Sequence, residues 1–161
     1  MFVLEGIVTN ASWPDQRLLS NLPGTYALVL RLDRPLVLAA GRLAPAALRP
    51  GLFVYVGSGR GPGGLRGRVG RHLRADKKTH WHIDALTALA PVMRVWLVES
   101  AERRECLWAQ AIRALPGVTV PIAGFGASDC ACGAHLLALP ADGMAAAWAA
   151  LGCPAEIILS P

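Results

Sequence analysis

Apolar positions in this chain come in short runs broken by glycine and proline, and their spacing changes along the sequence. "YALVLRL" alternates Tyr26, Leu28, Leu30 and Leu32 with Ala27, Val29 and Arg31, the period of a half-buried strand. "PLVLAA" and "GRLAPAAL" flank Gly41 as the arms of a hairpin, and "GLFVYVG" is a further strand stopped by glycine. The period then lengthens to predict a helix around Leu65 to Arg74 and a second around His82 to Leu89. A strand, "VMRVWLVES", and a longer helix from Ala101 to Leu115 follow.

The ends read as additions to this middle. An N-terminal extension closing in "DQRLLSNLPG" begins with a short strand, Phe2 to Val8. After "LLALP", a turn at Ala141 to Gly143 starts an alanine-rich helix that stops at Gly152 with Pro154 beyond, and "EIIL" follows as an edge strand. The mixture predicts an α+β fold, a small antiparallel or mixed sheet flanked by helices, with an inserted hairpin. With neither a repeat nor a linker, residues 1–161 read as one domain: extension 1–22, core 23–140, and a C-terminal helix and strand over 141–161.

Composition adds a globular core, since 53% of residues are hydrophobic and only 17% charged. The start lacks the pattern of a signal peptide and no run is long enough to span a bilayer, so the expected location is cytoplasmic, with no membrane partner. Cys106, Cys130, Cys132 and Cys153 are then reduced thiols or metal ligands.

Charge changes the picture more. The formal net charge is +5, and Arg60, Arg66, Arg68, Arg71, Arg74, Lys77 and Lys78 crowd one span with a single acid, Asp76. A polyanion is the expected partner, DNA foremost, with Arg60, Arg66, Arg71, Arg74, Lys77 and Lys78 as the contacting set. Gly63, Gly64, Gly67 and Gly70 suggest a close approach to the backbone, and the turn "GRGPGG" carries a weak phosphate signal.

On a helical wheel Leu65, Val69 and Leu73 form one stripe with Arg68 and His72 along its edge. In the later helix the stripe is Trp108, Ala111, Ile112 and Leu115, with Glu105 close to it and Gln110 opposite. An inward carboxylate is costly unless paired or bound to a cation. Tyr26, Tyr55, Arg68, His72 and Glu105 are therefore expected to converge and hold a phosphate and a divalent metal.

These residues, in the order "GTY … VYVGSG … RHLR … HWHID … EC … GFGASDCAC … HL", resemble the GIY-YIG nuclease superfamily. More closely they resemble its subgroup called domain of unknown function 123, sometimes joined to endonuclease III-type DNA glycosylases. The resemblance spans about Gly24 to Leu139. It implies a metal-dependent endonuclease, a link to DNA repair, and Mg2+ or Mn2+ on the glutamate. It further implies Tyr26 helping to deprotonate water with His72 as its partner, Tyr55 orienting water and Arg68 on the scissile phosphate. The connection from Tyr26 to Tyr55 is longer than usual in the superfamily, and the usual spacing would put the carboxylate nearer Ala109 or Gln110 than Glu105. A non-catalytic nucleic-acid-binding module on the same fold is the alternative.

Outside that pattern, Cys130, Cys132 and His135 are three candidate zinc ligands, with His80 or His82 as the fourth. "GFGASD" would turn Ser128 and Asp129 toward the basic helix, and Asp84 is a further candidate for the pocket. Ser128 lacks the nucleophile-elbow context of a serine hydrolase.

Overall fold

The computed structural model describes residues 6–8 and 18–159. Residues 2–5 of the expected first strand lie outside them, and its remainder is β1 (Gly6–Val8). Then come β2 (Gly24–Leu32), β3 (Leu36–Leu38), β4 (Ala46–Leu48), β5 (Gly51–Ser58), α1 (Gly64–Leu73) and α2 (His82–Thr87). The chain continues through β6 (Val92–Glu99), α3 (Glu105–Arg113), β7 (Leu136–Leu139), α4 (Met144–Ala150) and β8 (Ala155–Leu159). Six strands form a mixed sheet in the order β1-β8-β6-β2-β5-β7, antiparallel except for β1 beside β8, so the α+β expectation holds. β3 and β4 pair separately as the hairpin about Gly41, which turns with φ +57°.

The alternation in β2 was expected to divide core from solvent. Instead it divides two cores. Tyr26, Leu28, Leu30 and Leu32 pack with Phe53, Tyr55, Leu65, Val69, Ile83 and Leu86 on one face. Ala27 and Val29 pack with Val54, Val56, Trp96, Trp108 and Ile112 on the other. Because both sets of alternate residues in β2 are apolar, apart from Thr25 and Arg31, α1 and α2 can cover one face and α3 and α4 the other.

Three features of the fold differ from expectation, besides α2 ending at Thr87 rather than Leu89. β8 is not an edge strand: β1 and β6 flank it. The strand β7, within "LLALP", closes the other edge, pairing Leu136 to Leu139 with β5. Helix α3 begins four residues later than its apolar spacing suggested, at Glu105, because the Ser100 hydroxyl accepts the Glu102 amide N–H and shapes a non-helical lead-in.

The glycines at the start of α1 have an internal explanation. Gly64 adopts φ +57°, and a Cβ there would collide with the backbone of Asn21 and Leu22. The Leu65 and Arg66 amides donate to Leu22 O at 3.0 Å and Ser20 O at 2.8 Å. The amides that a phosphate would use are therefore taken by the chain's own preceding segment, which removes the "GRGPGG" phosphate reading.

Candidate functional site

Register places the two tyrosines. Tyr26 lies opposite Gly57 and Leu28 opposite Tyr55, so both phenols stand on the same face of adjacent antiparallel strands. The glycine of "YVG" is needed there, since a Cβ on Gly57 would lie within 2.5 Å of Tyr26 Cζ. Tyr26 is 1% exposed and cannot swing aside. Gly57→Ala should accordingly cost ~1–3 kcal/mol in chemical denaturation, with an undiminished unfolding slope.

Behind the tyrosines stands a buried relay. Tyr26 Oη is 2.7 Å from His72 Nε2. His72 Nδ1 faces Asp84 Oδ1 at 3.7 Å, beyond hydrogen-bond reach, and makes no hydrogen bond among the described residues. An N–H at Nδ1 facing a carboxylate leaves Nε2 as the acceptor, so the Tyr26 hydroxyl donates. Burial lowers His72 below its ordinary 6.5, against the opposing pull of Asp84, which favours the neutral ring. Burial also raises Tyr26 and Tyr55, with Tyr55 and the carboxylates of Glu105 and Asp84 adding to the rise at Tyr26, and Glu105, Asp84 and Asp129 to that at Tyr55, while Arg68 pulls both the other way.

Asp84 organises two helices. Its carboxylate accepts Arg71 Nη1 at 2.8 Å and the amides of His80 and Trp81 at 2.8 and 2.9 Å. Burial alone would raise this carboxyl, but the His72 ring beside it, the Trp81 amide, Arg71 and the His80 amide outweigh that and hold it well below the carboxylate range. Trp81 is gripped in turn, with the guanidinium carbons of Arg68 and Arg71 each 4.2 Å from its ring centroid. Thus Trp81, the residue that caps the start of α2, fixes the direction of Arg68, which sequence alone did not reveal.

In front of the tyrosines opens a cleft of about 390 Å³. Tyr26, Tyr55, Arg68 and Glu105 all line it, so four of the five residues expected to converge do so, and His72 sits directly behind. Glu105 arrives by a different route from the one its wheel position suggested. Trp108 and Ile112 pack in the core on the face opposite the tyrosines, and Glu105, the first residue of α3, reaches the cleft from the helix end. Ala109 is buried in that opposite core and Gln110 is exposed. Ser128 and Asp129 line the cleft as expected, whereas Asp84 is buried behind it. Arg103 joins them without any sequence signal.

The expected phosphate-contacting residues divide. Arg60 lines the cleft while donating to Ala101 O at 2.6 Å, and Arg74 and Lys78 are exposed. Arg66 donates to Leu19 O at 2.8 Å, Arg71 is held by Asp84 and Lys78 O, and Lys77 donates to His72 O. Those three side chains also tie backbone and helices together.

The cysteines converge as well. Ligand atoms of Cys106, Cys130, Cys132 and His135 lie within 4.8 Å of one another, a group that could hold a metal ion. The fourth member is Cys106, not His80 or His82: His80 is exposed, and His82 accepts the Gly126 amide at 3.3 Å. Cys153 is exposed and apart from this group.

Among the described residues no helix is long and apolar enough to cross a membrane. The family model described as domain of unknown function DUF123 matches residues 25–151, which include both tyrosines and every residue of the cleft. No curated protein and no solved structure matches the chain.

Proposed function

This chain belongs to the DUF123 family, and from the cleft that the matched residues build we propose that it is a metal-dependent endonuclease hydrolysing phosphodiester bonds, those of DNA foremost. The observation that carries this reading is one cleft lined by two phenols, Arg68 with Arg60 and Arg103, and the carboxylates Glu105 and Asp129. Its resemblance to the GIY-YIG nucleases points the same way.

Glu105 and Asp129 supply oxygen donors, which suit Mg2+ or Mn2+ rather than a soft ion. Such an ion, when bound, would offset phosphate charge and make bound water more acidic. The protein's own groups do the rest. Arg68, braced on Trp81, holds the non-bridging oxygens and stabilises the charge they gain on attack. Tyr26 accepts the proton of the attacking water as its own hydroxyl proton passes to His72 Nε2, so the raised phenol never needs to ionise beforehand. Asp84 steadies the imidazolium that results. A new P–O bond forms from the water oxygen, the bond to the leaving oxygen breaks, and that oxygen takes up a proton from solvent while His72 returns its own through Tyr26 to water.

The test is incubation of the full chain with single-stranded, duplex and branched DNA, and with RNA, in Mg2+ or Mn2+. Cleavage that stops on chelation is the expected result. Salt-sensitive binding with every substrate left intact would instead support the nucleic-acid-binding module.

A further inference from the structure

The cluster formed by Cys106, Cys130, Cys132 and His135 is not used by the chemistry above. Cys132 Sγ lies 2.8 Å from His135 Nε2, Cys130 Sγ 3.4 Å and Cys106 Sγ 3.7 Å, and the Cys130 and Cys132 sulfurs are 3.0 Å apart with all cysteines free. Ligand atoms around a tetrahedral zinc sit about 3.5–3.8 Å from one another, given Zn–S and Zn–N bonds of about 2.3 and 2.0 Å. The four atoms already occupy a volume of that size. Three thiols and an imidazole select a borderline-soft ion and reject Mg2+ and Ca2+, whose ligands are oxygens.

The backbone around the cluster is built to hold it. Residues 114–135 run from α3 to β7 without a helix or a strand of their own. They pass from the core around Trp108 to the one around Tyr55, where Ile122 and Phe125 are buried. The segment is closed on itself by Gly124 N–H to Gly133 O and His135 N–H to Phe125 O, both 2.7 Å, and Val56 N–H bonds to His135 O at 2.9 Å. His135 is 2% exposed and rigidly placed on the sheet. A long irregular segment in a compact fold needs such cross-links, and a metal would add one to α3.

We propose that Cys106, Cys130, Cys132 and His135 bind one Zn2+ ion as a tetrahedral structural site. That ion fastens the first turn of α3 to the segment carrying Ser128 and Asp129. Cys106 follows Glu105 directly, so the ion fixes where Glu105 enters the cleft; this consequence alone rests on the cleavage reading.

The full chain, purified without chelator, should carry about one zinc per molecule by elemental analysis. Exchange for Co2+ should give thiolate charge-transfer absorption and the intense visible bands of a tetrahedral site. Cys106→Ser or Cys132→Ser should weaken zinc binding at least ~10-fold, whereas Cys153→Ser should leave it unchanged. Should the cysteine variants fail to fold, stripped wild-type chain gives the answer, because added zinc should raise its melting temperature as binding favours the folded state. Absence of stoichiometric zinc or tetrahedral cobalt, or melting indifferent to zinc, overturns the site. A chain that binds zinc yet cuts nothing loses only the nuclease reading. One that cuts with Mg2+ or Mn2+ but ignores zinc loses only this site.

Discussion

Arg68→Ala and Glu105→Gln should each reduce metal-dependent cleavage of DNA by ~10²-fold or more while the protein stays folded. The size follows from what each group faces. Arg68 points into the cleft from the edge of α1, and of the three arginines that line it, Arg68 is the one whose guanidinium is braced over the Trp81 ring. Arg68→Lys keeps the charge but loses the planar fork, so it should recover only part of the rate. Glu105→Gln keeps shape and removes the charge a divalent ion needs. Both residues are half-buried and neither lies in a core cluster, so melting temperatures should move by little. Tyr26→Phe is the informative companion, because it deletes the hydroxyl on His72 Nε2 without changing the ring packing. Wild-type rates in Arg68→Ala or Glu105→Gln would remove those residues from the chemistry and leave the cleft as a docking surface.

Asp84→Ala should cause the largest loss of stability, on the order of 3–5 kcal/mol by chemical denaturation. The substitution strips the bond from Arg71 and leaves the His80 and Trp81 amides without their acceptor, in a place where the carboxylate side chain is 1% exposed. Asp84→Asn should be milder, since it retains an acceptor oxygen, and it permits a pH test. The folded Asp84 carboxyl lies below its ordinary 3.8, so its contribution is full above that value and is lost as pH falls below it. His72 is lowered as well, so the unfolded chain takes up its proton first and stability declines as pH drops below 6.5. Both arms therefore run in one direction, with wild-type stability rising with pH through the acid range. In Asp84→Asn the lower arm should be largely absent, and a wild-type curve flat from pH 7 to pH 3 would contradict the carboxylate's assigned surroundings.

Several parts of this design were legible from residue spacing. The alternation of "YALVLRL" and "GLFVYVG" marked the strands that carry Tyr26 and Tyr55, and the wheel of Leu65, Val69 and Leu73 put Arg68 and His72 along the inner edge of α1. Those readings succeed because they concern residues within a turn or two of each other, where backbone geometry sets which side chains share a face. Cys130, Cys132 and His135 were legible together for the same reason, being close in sequence.

What spacing misjudged depends on contacts between distant segments. Local charge counting made Arg71 and Lys77 look like free cations, but Arg71 meets a carboxylate thirteen positions away and Lys77 folds back on the His72 carbonyl. Cys106 completes the cluster across 29 positions from His135, a closure no motif of neighbouring cysteines encodes. The sequence by itself determined most of the strands and helices, β7 aside, and which side chains each of them offers. Only the tertiary structure decided that β2 is buried on both faces, that Glu105 enters the cleft from a helix end, and that Asp84 holds α1 to α2. The physical reason is that periodicity fixes direction about a single element, whereas partnership across elements is settled by packing two layers of helices on one sheet and by the need to pair every buried charge.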